Sequence, residues 1–387
     1  MKKYVALLLI LSLIVMSFGV VGCGQKQAKT VKIAYIGPIT GPNAAIGLGM
    51  KNSAELAIKQ ANASGKLPYK LELLVLDDAS DPAQAVNAAN KAASDPDVVA
   101  AVAHFNSGCA LASVHAFHKF GLPAVIIAAI HPKITQNGYP EITRVIGDIN
   151  IQEKVAGKKA TTEFGLKKFA VIQDQTDYGK SNAEAFMDEV KRNGGEIVSY
   201  DGIAVGQQDF SALLTTIKAK NPEMIFFGGL ATEAALIKRQ MADLKIPAIF
   251  MSDSGILSST FNEIAKDAAT GTLAHGYGAP IEDLPGGQAF IKAYNEAGFK
   301  EPYEAYGPFA YDAAGIVIEA IKKVGPDRAK LVNAIRDTRD YNGVLGKTSF
   351  DQNGQTTADL VTTYISENGK WVPYYKSTLK VKDKKIQ

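Results

Sequence analysis

Residues 31–38, Val31-Lys32-Ile33-Ala34-Tyr35-Ile36-Gly37-Pro38, decide the fold of this chain. The first six are mostly apolar or β-branched and read as a strand, and Gly37-Pro38 ends it because proline has no N–H to give to a sheet. An amphipathic stretch over 45–63 predicts a helix, and the apolar run 71–76 predicts a second strand. Strand, helix and strand in this order form a βαβ unit, which calls for a parallel sheet covered by helices. The pattern continues outward. Asp81-Pro82 opens a helix reaching 93, with Asp81 as N-cap and Pro82 at the first helical position, where a missing N–H costs nothing. A strand over 98–102, a helix over 110–120 and a strand over 123–127 complete the first series.

After Asp148 a second series begins, with helices over 151–165, 179–193, 210–219 and 231–243. Its strands are read at 169–172, 196–199, 224–227 and 248–251, enough for a sheet of its own. Helices over 287–297, 304–323 and 328–337, then strand-like segments at 348–350, 361–365 and 371–374, must be shared between two lobes. We expect one lobe from 30–148 with 275–351, and another from 149–274 with 352–376. From Lys376 the chain carries five lysines and few apolar residues, which predicts a solvated, frayed tail over 377–387.

The first residues are of another kind. Lys2-Lys3 precede an apolar run over 4–21, closed by Val20-Val21-Gly22-Cys23. This layout resembles a bacterial lipoprotein signal, in which a peptidase cuts after Gly22 and the Cys23 thiol carries a diacylglyceryl group. Residues 1–22 are then the signal peptide and 23–29 a linker. The alternative is an uncleaved transmembrane helix, for which roughly 18 apolar residues suffice. Both readings put the remainder outside the cytoplasm, and the first anchors it to a bacterial membrane, at the cell surface or in the periplasm.

At 387 residues the chain exceeds the roughly 250–300 that one core serves, in keeping with two lobes. Its formal charge of +3 falls further when Lys2 and Lys3 are removed, so no global field favours nucleic acid. The partner is a small molecule or a protein. Cys109, the only cysteine besides Cys23, reads as a small buried apolar residue.

Several motifs stand in a fixed order: Tyr35-Ile36-Gly37-Pro38 to Gly41-Pro42, Asp77-Asp78-Ala79-Ser80-Asp81-Pro82, and His104-Phe105-Asn106-Ser107-Gly108. Asp177-Tyr178-Gly179, Asp209-Phe210-Ser211 and Gly228-Gly229 follow. Together they resemble the leucine/isoleucine/valine-binding receptors of ABC importers, from about Thr30 to Tyr375. The resemblance implies an α/β, type I periplasmic-binding-protein fold, with two doubly wound parallel-sheet lobes, a three-strand hinge, and a ligand enclosed between the lobes. Ser107, after a strand and at the start of a helix, offers a hydroxyl and free N–H groups suited to a carboxylate; capping its own helix is the simpler role. By resemblance, Ala128-Ala129-Ile130 completes that corner with the Ala128 carbonyl and the Ile130 N–H. Tyr178 matches the family's aromatic lid and Tyr306 an aromatic wall residue.

Four positions depart from the family pattern. Ser254 stands where the family holds an acidic partner for the ligand's ammonium, Ile130 replaces a threonine, and Leu230 and Ile46 replace aromatics. A buried ammonium without a carboxylate is strongly unfavourable, which argues for a non-amino-acid apolar or aromatic carboxylate or amide. Asp253, one residue away, restores the charge if its loop turns inward. His131, beside the corner, either meets a polar ligand group or faces solvent.

No enzyme motif is complete. Gly346-Lys347-Thr348 resembles the end of a phosphate loop, but the earlier glycine falls at Tyr341. His115 and His118 share a helix face without an acidic or histidine partner in the same element, so no metal and no cofactor are expected. The expected partners are a branched-chain amino acid or related small carboxylate, ABC permease subunits, and a membrane reached through the lipid. A lipoprotein that presents ligand to a sensor kinase is the rival reading.

Overall fold

The computed structural model describes residues 29–387, so the 1–22 signal, Cys23 and nearly all of the linker lie outside the described residues. The first lobe is built on β1 (Lys29–Gly37), α1 (Ala44–Ala63), β2 (Tyr69–Asp77), α2 (Pro82–Ser94), β3 (Val98–Ala103), α3 (Ser107–Lys119), β4 (Ala124–Ile126) and β5 (Ile142–Arg144). Its strands lie in the order β2-β1-β3-β4-β5, all parallel. Every residue of β3, Val-Val-Ala-Ala-Val-Ala, is buried, as a central strand covered on both faces requires. Asp81 caps α2 through the Gln84 N–H, as its sequence predicts. Asp78 Oδ2 meets His104 Nδ1 at 2.8 Å, both fully buried, and joins the carboxyl ends of β2 and β3.

The second lobe contains α4 (Ile149–Lys158), β6 (Lys168–Gln173), α5 (Asp177–Arg192), β7 (Glu196–Gly202), α6 (Ser211–Ala219), β8 (Met224–Gly228), α7 (Ala231–Asp243), β9 (Ile249–Ser252), α8 (Ser259–Ala265) and β10 (Leu273–Tyr277). The chain then returns to the first lobe with α9 (Gly287–Glu296), α10 (Gly307–Val324) and α11 (Arg328–Arg336), of which α10 packs on α1. After the small hairpin of β11 (Tyr341–Gly343) and β12 (Gly346–Thr348), β13 (Val361–Glu367) and β14 (Lys370–Pro373) join the second sheet. That sheet runs β14-β13-β10-β9-β8-β6-β7, with β13 and β14 antiparallel at one side.

The chain therefore crosses between the sheets three times, after Arg144, after Tyr277 and before Val361. The crossings are bound together. Arg144 N donates to Gly354 O at 2.8 Å, Tyr277 Oη to Asp148 O at 2.8 Å, and Gly278 N to Leu360 O at 2.8 Å.

Three expectations are corrected. β10 belongs to the second sheet through Tyr277, beyond the expected boundary at 274; its His275-Gly276 pair hides the strand, since neither residue favours one. The helix read as 151–165 starts at Ile149 and gives way to a π-helical turn, Lys159–Glu163. The tail is no frayed end: β15 (Val381–Lys382) and β16 (Lys385–Ile386) form a hairpin, and Leu379, Val381 and Ile386 pack against the second lobe's core.

Candidate functional site

The carboxyl ends of both sheets face one cleft, and the chain's polar corner sits on the first-lobe side. Ser107 is the first residue of α3, whose N-cap Asn106 makes no side-chain cap, so the helix start keeps unpaired N–H groups. Ser107 Oγ accepts from the His131 backbone N–H at 3.3 Å. The Ala128 carbonyl and the Ile130 N–H take no partner among the described residues, whereas Ala129 O accepts from Arg144 Nη1 at 3.2 Å. The same nitrogen donates to His131 O at 2.8 Å, and Arg144 Nε to Gln355 Oε1 at 2.6 Å. Fully buried Arg144 thus braces the 128–131 loop from below. Burial lowers its guanidinium only to about 10, so it remains a cation at neutral pH beside the Ser107 corner.

Across the cleft, Tyr178 lies in the first turn of α5 and is buried in the first lobe's apolar cluster. That cluster also contains Ile46, Ala128, Ile130 and Tyr306, with Leu230 packed against it. Five of the predicted residues, from both lobes, therefore belong to one large apolar cluster, with Leu230 packed against it. Tyr306 meets Phe105 edge-on at 5.5 Å between ring centroids. The lobes also approach at α3 and α5, where a Cβ on Gly108 would lie 3.5 Å from Asp177 Oδ2.

Asp253 is wholly buried just past β9. Its Oδ1 accepts from Tyr178 Oη at 2.5 Å and from Gly255 N at 2.8 Å, and its Oδ2 has no partner. Burial pushes this carboxyl up to about 8, against the pull of the Tyr178 hydroxyl and the Gly255 N–H. Ser254 turns differently, its Oγ reaching Gln152 Oε1 at 3.4 Å, while Gln152 Nε2 donates to His275 O at 2.5 Å.

A cavity of about 380 Å³ opens between the lobes beside this centre. Ser254 and Tyr306 line it together with Tyr277, Phe309, Tyr364 and Trp371, whereas the Ser107 corner, Tyr178 and Asp253 are not on its wall. His131 is partly buried, and its Nδ1 accepts from Lys133 N at 3.2 Å. Burial lowers its ring, with Asp177 opposing. His118 Nδ1 meets Glu141 Oε2 at 2.8 Å and Tyr139 Oη meets His115 Nδ1 at 2.7 Å, partners from another loop that spacing within one helix does not reveal. Among the described residues no group of three metal-type side chains occurs. Cys109 is buried and free, its thiol pushed up by burial.

Sequence reasoning missed Arg144, Gln152 and Glu153. A lone arginine in a strand gives little sign that it is buried; the polar Gln152-Glu153 pair beside apolar Ile149 reads as an exposed helix face.

Comparison with known proteins agrees with this architecture. The family model for periplasmic binding proteins matches residues 30–370. A Leu/Ile/Val-binding protein homolog of Brucella suis is 34% identical over 334 residues, covering 86% of this chain and 89% of its own. The crystal structure of a leucine-binding protein from Thermotoga maritima superposes with a TM-score of 0.81 at 29% identity, over 89% of this chain and 97% of that one. A branched-chain amino acid transporter substrate-binding protein from Streptococcus pneumoniae, solved with isoleucine, gives 0.82 at 25% identity, over 89% and 98%. With two parallel-sheet lobes, three crossings and a cleft at the strands' carboxyl ends, the chain belongs to the periplasmic binding protein family and has its type I fold, as a solute-binding protein and not an enzyme.

Proposed function

We propose that this chain is the extracytoplasmic, lipid-anchored receptor of an ABC importer and encloses a small α-amino acid with an apolar side chain between its lobes. The observation that carries this reading is the buried Asp253, whose Oδ2 has no partner while Oδ1 is fixed by Tyr178 and Gly255. It supplies the negative charge that Ser254 lacks. The ligand's carboxylate goes to the Ser107 helix start and the Ile130 N–H, its ammonium to Asp253, and its side chain among Ile46, Leu230 and Tyr306. The names of the similar receptors, one of them solved with isoleucine, support a branched-chain amino acid.

A second reading, an apolar aromatic carboxylate, draws support from the Tyr277, Tyr306, Phe309 and Trp371 rings along the adjoining cavity. Calorimetric titration of the mature protein with leucine, valine, phenylacetate and short-chain acids separates the two. Leucine binding that is lost in Asp253→Ala supports the amino-acid reading, and phenylacetate binding with no response to leucine rejects it.

Cys23 tethers the receptor to the membrane, which raises its local concentration at the permease. Cys23→Ala should move it from the membrane fraction to the soluble fraction. Deleting the chain should abolish uptake; intact uptake with lost signalling favours presentation to a sensor kinase instead.

A further inference from the structure

In the loop 128–131 that completes the Ser107 corner, most backbone groups are tied down. Ala128 N donates to His104 O at 3.2 Å, and His131 N to Ser107 Oγ at 3.3 Å. Ile130 O accepts from Ile149 N at 3.1 Å, while Ala129 O and His131 O both accept from Arg144 Nη1, at 3.2 and 2.8 Å. The Ala128 carbonyl and the Ala129 and Ile130 N–H groups have no partner among the described residues. Across a trans peptide the C=O and the following N–H point in opposite directions, and no cis bond occurs among the described residues. Once Arg144 holds Ala129 O, the Ile130 N–H must therefore face away from the guanidinium.

Arg144 is wholly buried, and its partners are carbonyl and amide oxygens rather than carboxylates. A buried cation without a paired anion is unfavourable, so Arg144 favours an anion on the far side of that peptide. The cation also polarises the Ala129 carbonyl, which makes the Ile130 N–H of the same peptide a stronger donor. The other arm of the guanidinium goes to the hinge. Its Nε donates to Gln355 Oε1 at 2.6 Å, and Gln355 Nε2 donates to Ile146 O at 2.8 Å, which joins the third crossing to the first. Arg144 N donates to Gly354 O at 2.8 Å and Thr356 N to Arg144 O at 2.9 Å, so the backbone of the third crossing is fastened to the same residue. A lysine has no such fork, and its point charge cannot span Ala129, His131 and Gln355 together.

We infer that Arg144 is a positioning residue for the ligand's carboxylate, aiming the Ile130 N–H into the cleft through Ala129 O and tying that aim to the hinge through Gln355. This role rests on the placement of the carboxylate at the corner proposed above, whatever group holds the ammonium. Gln355 belongs to neither the corner nor the cavity wall, and acts on the ligand from the third crossing.

Calorimetry compares the mature parent with Gln355→Leu and Arg144→Lys, using leucine and leucinamide, in which a neutral amide replaces the carboxylate. The Ile130 amide is followed by NMR at saturation with leucine. Gln355→Leu should weaken leucine at least ~5-fold and Arg144→Lys at least ~10-fold, with leucinamide moved by less than ~2-fold in both, as loss of a charge-assisted hydrogen bond predicts. The downfield shift that leucine gives the Ile130 amide in the parent should shrink in both variants. Unchanged leucine affinity, or an unchanged Ile130 shift, overturns the Arg144 role while leaving the amino-acid reading intact. Equal losses for leucine and leucinamide overturn it too, as general damage to the site. If the parent does not bind leucinamide, the Ile130 shift decides. A parent whose Ile130 amide ignores bound leucine overturns the placement of the carboxylate, and the Arg144 role with it. A parent that binds phenylacetate and not leucine rejects the amino-acid reading alone, and phenylacetate with phenylacetamide then serve as the pair. If Arg144→Lys does not yield folded protein, Gln355→Leu is judged by the same criteria.

Discussion

The Asp253 carboxyl titrates near 8 in the folded protein against an ordinary value of 3.8, because burial penalises its ionised form. Between those values the folded chain holds a proton that the unfolded chain has released, so the empty protein loses stability as pH rises through that window. Melting temperature should fall from pH 5 to pH 8. Asp253→Asn should fall less, although Asp312, which burial raises to about 7, and Glu153 and Glu304, which burial also raises, keep part of the slope, while His275, lowered by burial to about 3, opposes it below its ordinary value of 6.5. A scanning-calorimetry series in which both proteins fall equally would reject the assignment. Ligand binding runs the other way: an ammonium favours ionised Asp253, so affinity should rise by up to ~10-fold per pH unit between 6 and 8. Flat affinity over that range would argue against an ammonium at Asp253. At this scale the sequence is partly legible. Ser107 and Tyr178 stand in recognisable motifs, but the direction in which Asp253 turns depends on Tyr178, 75 residues away in the chain, and is visible only in the fold.

Among the elements, the βαβ units were readable because strand burial and helix amphipathicity leave a periodic mark, whereas the final hairpin was not. Leu379 and Val381 alternate with lysines, and the turn between β15 and β16 uses Asp383 and Lys384, both at positive φ (47° and 62°). Glycine or asparagine would have marked such a turn; Asp-Lys does not. Its attachment is specific all the same, since Lys384 Nζ lies 2.7 Å from Glu223 Oε1 and Lys376 Nζ reaches Asp283 at 2.5 Å. The apolar side chains matter more than these exposed pairs. Truncation after Lys376 removes Leu379, Val381 and Ile386 from the second core and should cost about 2–4 kcal/mol, read by urea unfolding of the mature protein. Replacing Lys376 and Lys384 by glutamine should cost under about 1 kcal/mol. A truncation without effect would mean that the hairpin is a passenger on the second lobe. Arg144 shows the same limit of legibility in the first lobe: its partners Ala129, His131 and Gln355 come from two other segments, and only tertiary assembly makes it the brace of the corner.

At the scale of the whole molecule, two lobes joined by three crossings can hinge, and the closed arrangement must be held by contacts that opening breaks. Glu304 of the first lobe supplies one. Its Oε1 accepts from Ser259 Oγ at 2.6 Å and its Oε2 from Ser259 N at 3.1 Å, across the cleft at the start of α8. The carboxyl is held above its usual range by burial, with both Ser259 bonds opposing, and its backbone sits at φ 52°, a conformation that non-glycine residues seldom adopt. Trp371, the only tryptophan of the chain, lines the same interlobe cavity and donates through Nε1 to Ser258 O at 3.2 Å. Its fluorescence should therefore report closure without a label. A contact made only after ligand has entered slows release more than it speeds capture. In stopped-flow experiments followed at Trp371, Glu304→Ala should release ligand about 5- to 20-fold faster, with the association rate changed by less than about 2-fold, the loss expected for hydrogen bonds to a charged acceptor. Ser259→Ala, which keeps the backbone N–H donor, should show a smaller acceleration of the same sign. Unchanged release in Glu304→Ala would place the hold on the closed state in the apolar packing of second-lobe Tyr178 with first-lobe residues such as Tyr306 instead.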